Sequence, residues 1–359
     1  MLHSLSIPII QAPMAGGVST PLLAASVSQA GGLGFLAGGY KTAEEMREEI
    51  IAMRKLTNAP FGVNLFVPSH EKVNDEEISR YKEKLGKEAN RLGVKLGEPM
   101  WDDDDWEAKL EVLCGQRVPV VSFTFGCPSS EVIAKLKADG SFVIVTVTTP
   151  EEAMIAKQAG ANALCVQGPE AGGHRATFHS NDVVCENISL LTLLRFVREV
   201  VDLPLIAAGG IMHGRDIAAV LVAGACAAQL GTAFLRCPES GAHPVHKAAL
   251  TDPQFEATSV TRAFTGRPAR GLVNRFLIEY DAAAPAAYPH VHHMTKNLRK
   301  AAAQANDPHA MSLWAGQGYR FSKEMPAAEL VHLLMEQTRE AVKDVMERLG
   351  FTGIVTEPK

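Results

Sequence analysis

The sequence predicts an α/β protein built as a (β/α)8 barrel, with a mostly helical C-terminal addition over the barrel mouth. Three observations carry that expectation. Short apolar runs alternate with helix-like segments through the first two-thirds of the 359-residue chain, giving eight β-then-α units. The runs are apolar throughout rather than alternating, as when both faces of a parallel strand are buried. The turn after the first strand reads Pro13-Met-Ala-Gly-Gly17. It lacks the G-x-G-x-x-G spacing that an open dinucleotide-binding sheet would place there.

Taken in order, the strand candidates are Ile7 to Ala12, Gly31 to Ala37, Phe61 to Leu65, Val118 to Thr124, Phe142 to Val147, Ala163 to Gln167, Leu203 to Gly210 and Ala227 to Ala233. Thr20 followed by Pro21 opens the first helix, since proline suits the first helical position. Thr42 and Glu45 have capping-box spacing before a helix from Ala43 to Leu56. Residues 67–117 form an irregular insertion with a charged helix from Asp75 to Leu92. The acidic run Trp101-Asp-Asp-Asp-Asp-Trp106 is read as the start of a further helix, because carboxylates suit a helix N-terminus. Helices are also expected from Ser129, Pro150, Leu190 and Gly214. Residues 1–237 are thus read as the barrel, 238–323 as the helical addition on the substrate side, and 324–359 as a C-terminal helix packing back on the barrel.

A net charge of −5 argues against nucleic acid as a partner. No apolar run reaches membrane-spanning length, and no secretory leader is evident. The six cysteines form no C-x-x-C pair and sit partly in apolar runs, which suggests reduced thiols in the cytoplasm and no metal site. His290, His292 and His293 are read as a solvated loop. A monomer or homodimer is expected.

Parallel barrels build their active sites at the C-terminal ends of the strands. Those ends supply Met14, Asn64, Ser122, Thr124, Gln167, Gly209, Gly210, Gln229, Leu230, Gly231 and Thr232. They lack paired carboxylates, a Schiff-base lysine and a metal cluster, which suits a cofactor that brings its own chemistry. The adjacent small ends Gly209-Gly210 and Gly231-Thr232 lie where barrels commonly hold a phosphate. After the sixth strand comes Gln167-Gly-Pro-Glu-Ala-Gly-Gly-His-Arg175. Gly172 and Gly173 permit close approach to a flat ligand, and His174 offers the side chain that titrates nearest neutrality.

Several pieces in order resemble the class I nitronate monooxygenases, FMN-dependent enzymes on a TIM barrel. They are Gln11-Ala-Pro-Met-Ala-Gly-Gly17, Gly62-Val-Asn-Leu-Phe66, Ser122-Phe-Thr-Phe-Gly126, the His174 loop, Ala207-Ala-Gly-Gly-Ile211, Gln229-Leu-Gly-Thr-Ala-Phe234, Thr261-Arg-Ala-Phe-Thr-Gly-Arg267 and Leu313-Trp-Ala-Gly-Gln-Gly318. The resemblance implies oxidation of alkyl nitronates, such as propionate 3-nitronate, by O2 to a carbonyl compound and nitrite. It implies FMN contacts from Asn64, Gln167, Gly172, Gly210, Gln229, Leu230, Gly231 and Thr232, with Met14 beside the ring and His174 as the catalytic residue. One departure is Ala176, where the family loop usually carries glycine. Two other readings stay open: an FMN-type enoyl-acyl-carrier-protein reductase, and a phosphate-binding barrel without redox chemistry.

Overall fold

The structure, a computed structural model, describes Leu2 and residues 5–180 and 188–351. His3 and Cys185 lie outside the described residues. Chain order begins β1 (Ile9–Gln11), α1 (Pro21–Gln29), β2 (Gly34–Ala37), α2 (Ala43–Leu56) and β3 (Phe61–Phe66). Then come α3 (Asp75–Leu92), α4 (Trp106–Gly115), β4 (Val120–Thr124), α5 (Ser130–Ala138), β5 (Phe142–Val147), α6 (Pro150–Ala159) and β6 (Ala163–Gln167). The two-residue β7 (Gly173–His174) precedes α7 (Leu190–Val200), β8 (Leu205–Ala208), α8 (Gly214–Val222) and β9 (Ala227–Leu230). The remainder holds α9 (Pro244–Ala249), β10 (Thr258–Thr261), β11 (Ala269–Leu272), α10 (Arg275–Tyr280), α11 (His290–Gln304) and α12 (Ala327–Arg348).

Local chemistry sets these boundaries. Thr42 Oγ1 accepts the Glu45 N–H while the Glu45 carboxylate accepts the Thr42 N–H, completing the capping box of α2. Such a cap is worth about 1 kcal/mol. Thr20 and Thr149 cap α1 and α6 with proline next in the chain. Eight parallel strands run in the order β1-β9-β8-β6-β5-β4-β3-β2. A parallel bridge between Ile10 and Leu33 joins β1 to β2 and closes the barrel. Inside, Ile10, Leu33, Phe35, Val120, Ile144 and Ile206 fill the lumen, so it is a packed core and not a channel. Truncating one of these to alanine should cost about 2–5 kcal/mol.

Residues 238–323 carry a feature the sequence pattern hides. Besides helices they contain the β10–β11 hairpin, and β11 pairs antiparallel with β7, the strand that bears His174. The insertion's helix α3 packs into the same cap, where Tyr81 Oη donates to Ala263 O at 2.6 Å. One expectation is corrected. His290, His292 and His293 begin the helix α11 and are no solvated loop, since Val291, Met294 and Leu298 bury one face of it and take His292 inside. The acidic run stands at a helix start as expected, directly before α4 with Asp105 at the N-cap position, though without a side-chain cap bond. Its carboxylates instead reach other segments, described below. Among the described residues no helix is long and apolar enough to cross a membrane.

Candidate active site

The ends of β8 and β9 lie side by side, with Ala208 opposite Gln229. Gly209 and Gly210 follow β8 at φ 129° and 70°, backbone that L side chains rarely adopt. Gly231 and Thr232 follow β9, where the chain turns into a short 3-10 helix (Thr232–Phe234). The segment from Ala315 to Gly318 leans onto this rim. Gly316 N–H donates to Thr232 Oγ1 at 3.0 Å, and a side chain at Gly318 would strike Gly210 O at 2.9 Å. A Cβ placed on Gly231 would meet nothing nearer than Ala12 Cβ at 3.6 Å and Met14 Sδ at 3.7 Å. The rim is therefore a cradle of bare backbone, one hydroxyl and the Met14 thioether, with room left at its centre. A phosphate group fits such a donor set. The Glu170 carboxylate, beside Gly210, is taken up at the start of α7, where Oε1 accepts the Leu190 N–H at 3.0 Å.

The other residues picked from the sequence sit at several places on the barrel mouth. Met14 is fixed by Ser19, whose Oγ accepts the Met14 N–H at 2.9 Å. Leu230 points its side chain into the core and offers its carbonyl to Ala12 N–H at 2.8 Å. Gln229 reaches inward and donates to Cys165 Sγ at 3.4 Å. Across the mouth, Asn64 Nδ2 donates to Ser122 Oγ at 2.8 Å and Thr124 Oγ1 at 3.0 Å. Gly172 packs on the 315–316 backbone, because a Cβ there would lie 2.5 Å from Gly316 N.

The loop after β6 is held by one amide. Gln167 Nε2 donates to His174 O at 3.0 Å, while Oε1 accepts the Ala176 N–H at 2.9 Å and Arg175 Nη1–H at 3.1 Å. Ala176 keeps negative φ, so the alanine imposes no backbone strain. Its side chain is fully buried. β11 then pins Gly173 and His174 from the far side.

His174 faces a cage of aromatic and cationic groups. Its Nε2 is 2.9 Å from Thr265 Oγ1, and its ring lies 5.7, 6.2 and 5.5 Å from those of Phe125, Tyr288 and Trp314. The Arg267 guanidinium sits 4.0 Å above the Phe125 ring. It also donates to Arg175 O, Thr177 O and Ser180 Oγ. Further out, Tyr40 stacks on His292 at 4.1 Å, and Tyr288 Oη donates to Tyr40 Oη at 3.4 Å. Arg299 Nη2 donates to His292 Nδ1 at 3.2 Å, which puts the His292 proton on Nε2.

Burial lowers the His174 imidazole to about 3, helped by the charges of Arg267 and Arg299, so it is neutral at physiological pH. Burial also lowers Arg267 to about 10, still charged at neutrality. Tyr40 is raised to about 12 by burial and stays protonated. Among the described residues neither Arg267 nor Arg299 forms a carboxylate ion pair. The cage thus sets two guanidinium charges and several aromatic rings around a neutral, half-buried imidazole. Sequence reasoning missed Thr265, Tyr288, His292 and Arg299 as residues of the site. The motif Thr261 to Arg267 was in view, but its docking against β7 was not.

A family model described as nitronate monooxygenase matches residues 1–337. The chain belongs to the nitronate monooxygenase family. It is 42% identical over 344 residues to a nitronate monooxygenase of Pseudomonas aeruginosa, covering 92% of this chain and 96% of that protein. Among solved structures it is similar to nitroalkane oxidase from Streptomyces ansochromogenes, at 55% identity and a TM-score of 0.93 over 96% of this chain and 99% of that one. FabK from Thermotoga maritima shares 28% identity, with a TM-score of 0.76 and 97% of each chain covered. Membership of the nitronate monooxygenase family makes this chain an oxidoreductase, and the shared fold with these neighbours is the eight-stranded barrel described above.

Proposed function

We propose that the chain is an FMN-dependent nitronate monooxygenase that oxidises alkyl nitronates, such as propionate 3-nitronate, with O2 to a carbonyl compound and nitrite. The observation that carries this reading is a neutral His174 within the field of Arg267 and Arg299, on the same barrel mouth as a glycine-lined backbone cradle. Gly209, Gly210, Gly231 and Thr232 would hold the phosphate of FMN, with Gln229 and Leu230 on the strand end that carries them and Met14 beside the ring. Asn64, Gln167 and Gly172 would lie along the ring. When bound, the flavin supplies electron transfer and oxygen chemistry.

The protein's own part is to collect, orient and dry the anion. Arg267 and Arg299 attract a nitronate, and the rings of Phe125, Tyr288 and Trp314 exclude water from it. Thr265 Oγ1 accepts the Arg267 N–H at 3.4 Å, donates to Arg267 O at 3.3 Å and holds His174 Nε2 at 2.9 Å, which leaves Nδ1 as the ring nitrogen that would face the substrate. The five described cysteines are unpaired, in keeping with a reducing compartment such as the cytoplasm.

A second reading, in which neutral nitroalkanes are the main substrates, is favoured by the name of the Streptomyces neighbour. It would require His174 to take the α-proton, and an imidazole lowered to about 3 is a weak base. Oxygen uptake separates the two. The purified protein should be yellow, release FMN on heating, and use preformed nitronates at least about tenfold better in kcat/KM than the matching nitroalkanes. Equal values would assign the nitroalkane reading. A colourless protein that does not take up FMN would remove both.

A further inference from the structure

We propose that Asp104 is a positioning residue that latches Tyr40 into the wall of the substrate pocket. The inference rests on the reading of that pocket given above. Tyr40 follows β2 and ends a loop that reaches over the barrel mouth. It sits at φ 67°, a conformation costly for an aromatic L residue. What holds it there is a carboxylate from a distant insertion: Asp104 Oδ1 accepts the Tyr40 N–H at 2.9 Å. Asp104 Oδ2 forms an ion pair at 2.9 Å with Lys109 of α4, a lysine only 1% exposed. On either side, Asp105 Oδ2 accepts the Ala43 N–H at 3.3 Å, and Asp102 pairs with His293 of α11 at 2.5 Å. The insertion thus ties the Tyr40 loop and the cap helix α11 to one point.

Tyr40 transmits this grip inward. Its ring packs between His292 at 4.1 Å and Phe66 at 5.3 Å, and its hydroxyl receives that of Tyr288, whose ring is 6.2 Å from His174. Among the described residues six non-glycine positions have positive φ, and Tyr40, Asp104, Asp105 and Phe125 are four of them. Backbone strain is therefore concentrated on the latch and on the ring beside His174. The groups facing Asp104 are Lys109, Asp102 and the Tyr40 N–H; those facing Tyr40 are Tyr288, His292, Arg299 and Arg267. Burial raises the Asp104 carboxyl to about 6 against the pull of Lys109. Protonation below that pH weakens both the ion pair and the acceptor for Tyr40.

The test uses the flavin-loaded full chain, with ethyl nitronate as the probe. Asp104→Ala should raise KM about tenfold or more while kcat changes by less than about threefold. That effect should vanish when the same change is made in a Tyr40→Ala background. Hydrogen exchange of the Tyr40 amide should accelerate in Asp104→Ala while the β4–β6 amides stay protected. Asp104→Asn, which keeps an acceptor but cannot titrate, should remove a limb near pH 6 from the kcat/KM profile. An unchanged Tyr40 exchange rate, or an equal KM effect without Tyr40, would overturn the proposal. Should Asp104→Ala fail to fold, the pH limb in the wild type and in Asp104→Asn decides. If the wild type turns over no nitronate, the functional reading fails by itself, and amide exchange still decides the latch.

Discussion

On the cradle side of the barrel mouth, β8, β9 and the turn after β1 present glycine backbone, the Thr232 hydroxyl and the Met14 thioether. On the cage side, the groups around His174 are side chains from five separate stretches: Tyr40, Phe125, Thr265 with Arg267, Tyr288 to Arg299, and Trp314. The cradle is built by main chain at strand ends, so its shape follows once the barrel forms. The cage exists only where an insertion, a hairpin and a helix converge. The first arrangement suits a ligand that never changes. The second can be retuned by single substitutions without disturbing the barrel.

The sharpest way to break this division is to fill the cradle without straining it. Gly231 has negative φ, and a Cβ there would make only ordinary contacts with Ala12 and Met14, so Gly231→Val should fold normally. It should nevertheless lose bound flavin, by about a hundredfold or more in affinity, because the added methyls occupy the phosphate position. Absorbance of the purified variant, compared with its thermal midpoint, checks both halves. Retained flavin would move the phosphate elsewhere.

His174→Ala tests the cage with the cradle left whole. It should keep flavin and lose about 30- to 1,000-fold in nitronate kcat/KM, the scale of one hydrogen bond made in the transition state. Near-normal turnover with full flavin would deny His174 its role.

The smallest effect concerns pH and stability. His174 is lowered to about 3 and His246 to about 4, both mainly by burial. Their unfolded forms titrate near 6.5, so the unfolded chain binds more protons below that pH. Stability from these groups is complete above about pH 6.5 and falls as pH drops toward 4. Asp104 acts in the opposite sense. Its folded value of about 6 exceeds the usual 3.8, so its contribution is lost as pH rises between those values. Denaturant midpoints between pH 4 and 7 should therefore fall toward acid less steeply in the wild type than in Asp104→Asn. Equal slopes would show that Asp104 is not so perturbed.

Much of the barrel could be read directly. Ala163–Gln167, Phe142–Val147 and the helices α1, α2, α3 and α6 fall where periodicity, caps and prolines put them, because local chemistry decides those boundaries. The His174 loop was legible as glycine-rich backbone with one imidazole. The rest was not, for a physical reason. Nothing beside Gln167 announces that its amide also holds the loop, through His174, Arg175 and Ala176. His292 looks exposed in a run with His290 and His293 until α11 turns it under Tyr40. The acidic run does precede a helix, α4, as carboxylates favour locally, yet its side chains bond elsewhere. Its actual partners, Tyr40 and Ala43, lie sixty-odd positions away, at separations of 64 and 62 residues. Pairings of that kind leave no periodic trace in a single sequence.

The closure of the barrel has a consequence for the order in which this protein comes into being. β1 is synthesised first, yet its ladder partner is β9, with Ile9 opposite Ala228 and Gln11 opposite Leu230. The helix α12 then packs over α1 and α8, across that join, and Gln337 Oε1 accepts the Gly214 N–H at 3.1 Å. At ribosomal speeds the first strand waits on the order of tens of seconds for its partner. Closing so long a loop costs entropy before any contact repays it. Met14 and Gly231, which face each other across the cradle, come from the two sides of this join. On the proposed reading the phosphate position is thus absent from every shorter nascent chain, and flavin capture would mark the moment at which the first and last parts of the barrel meet.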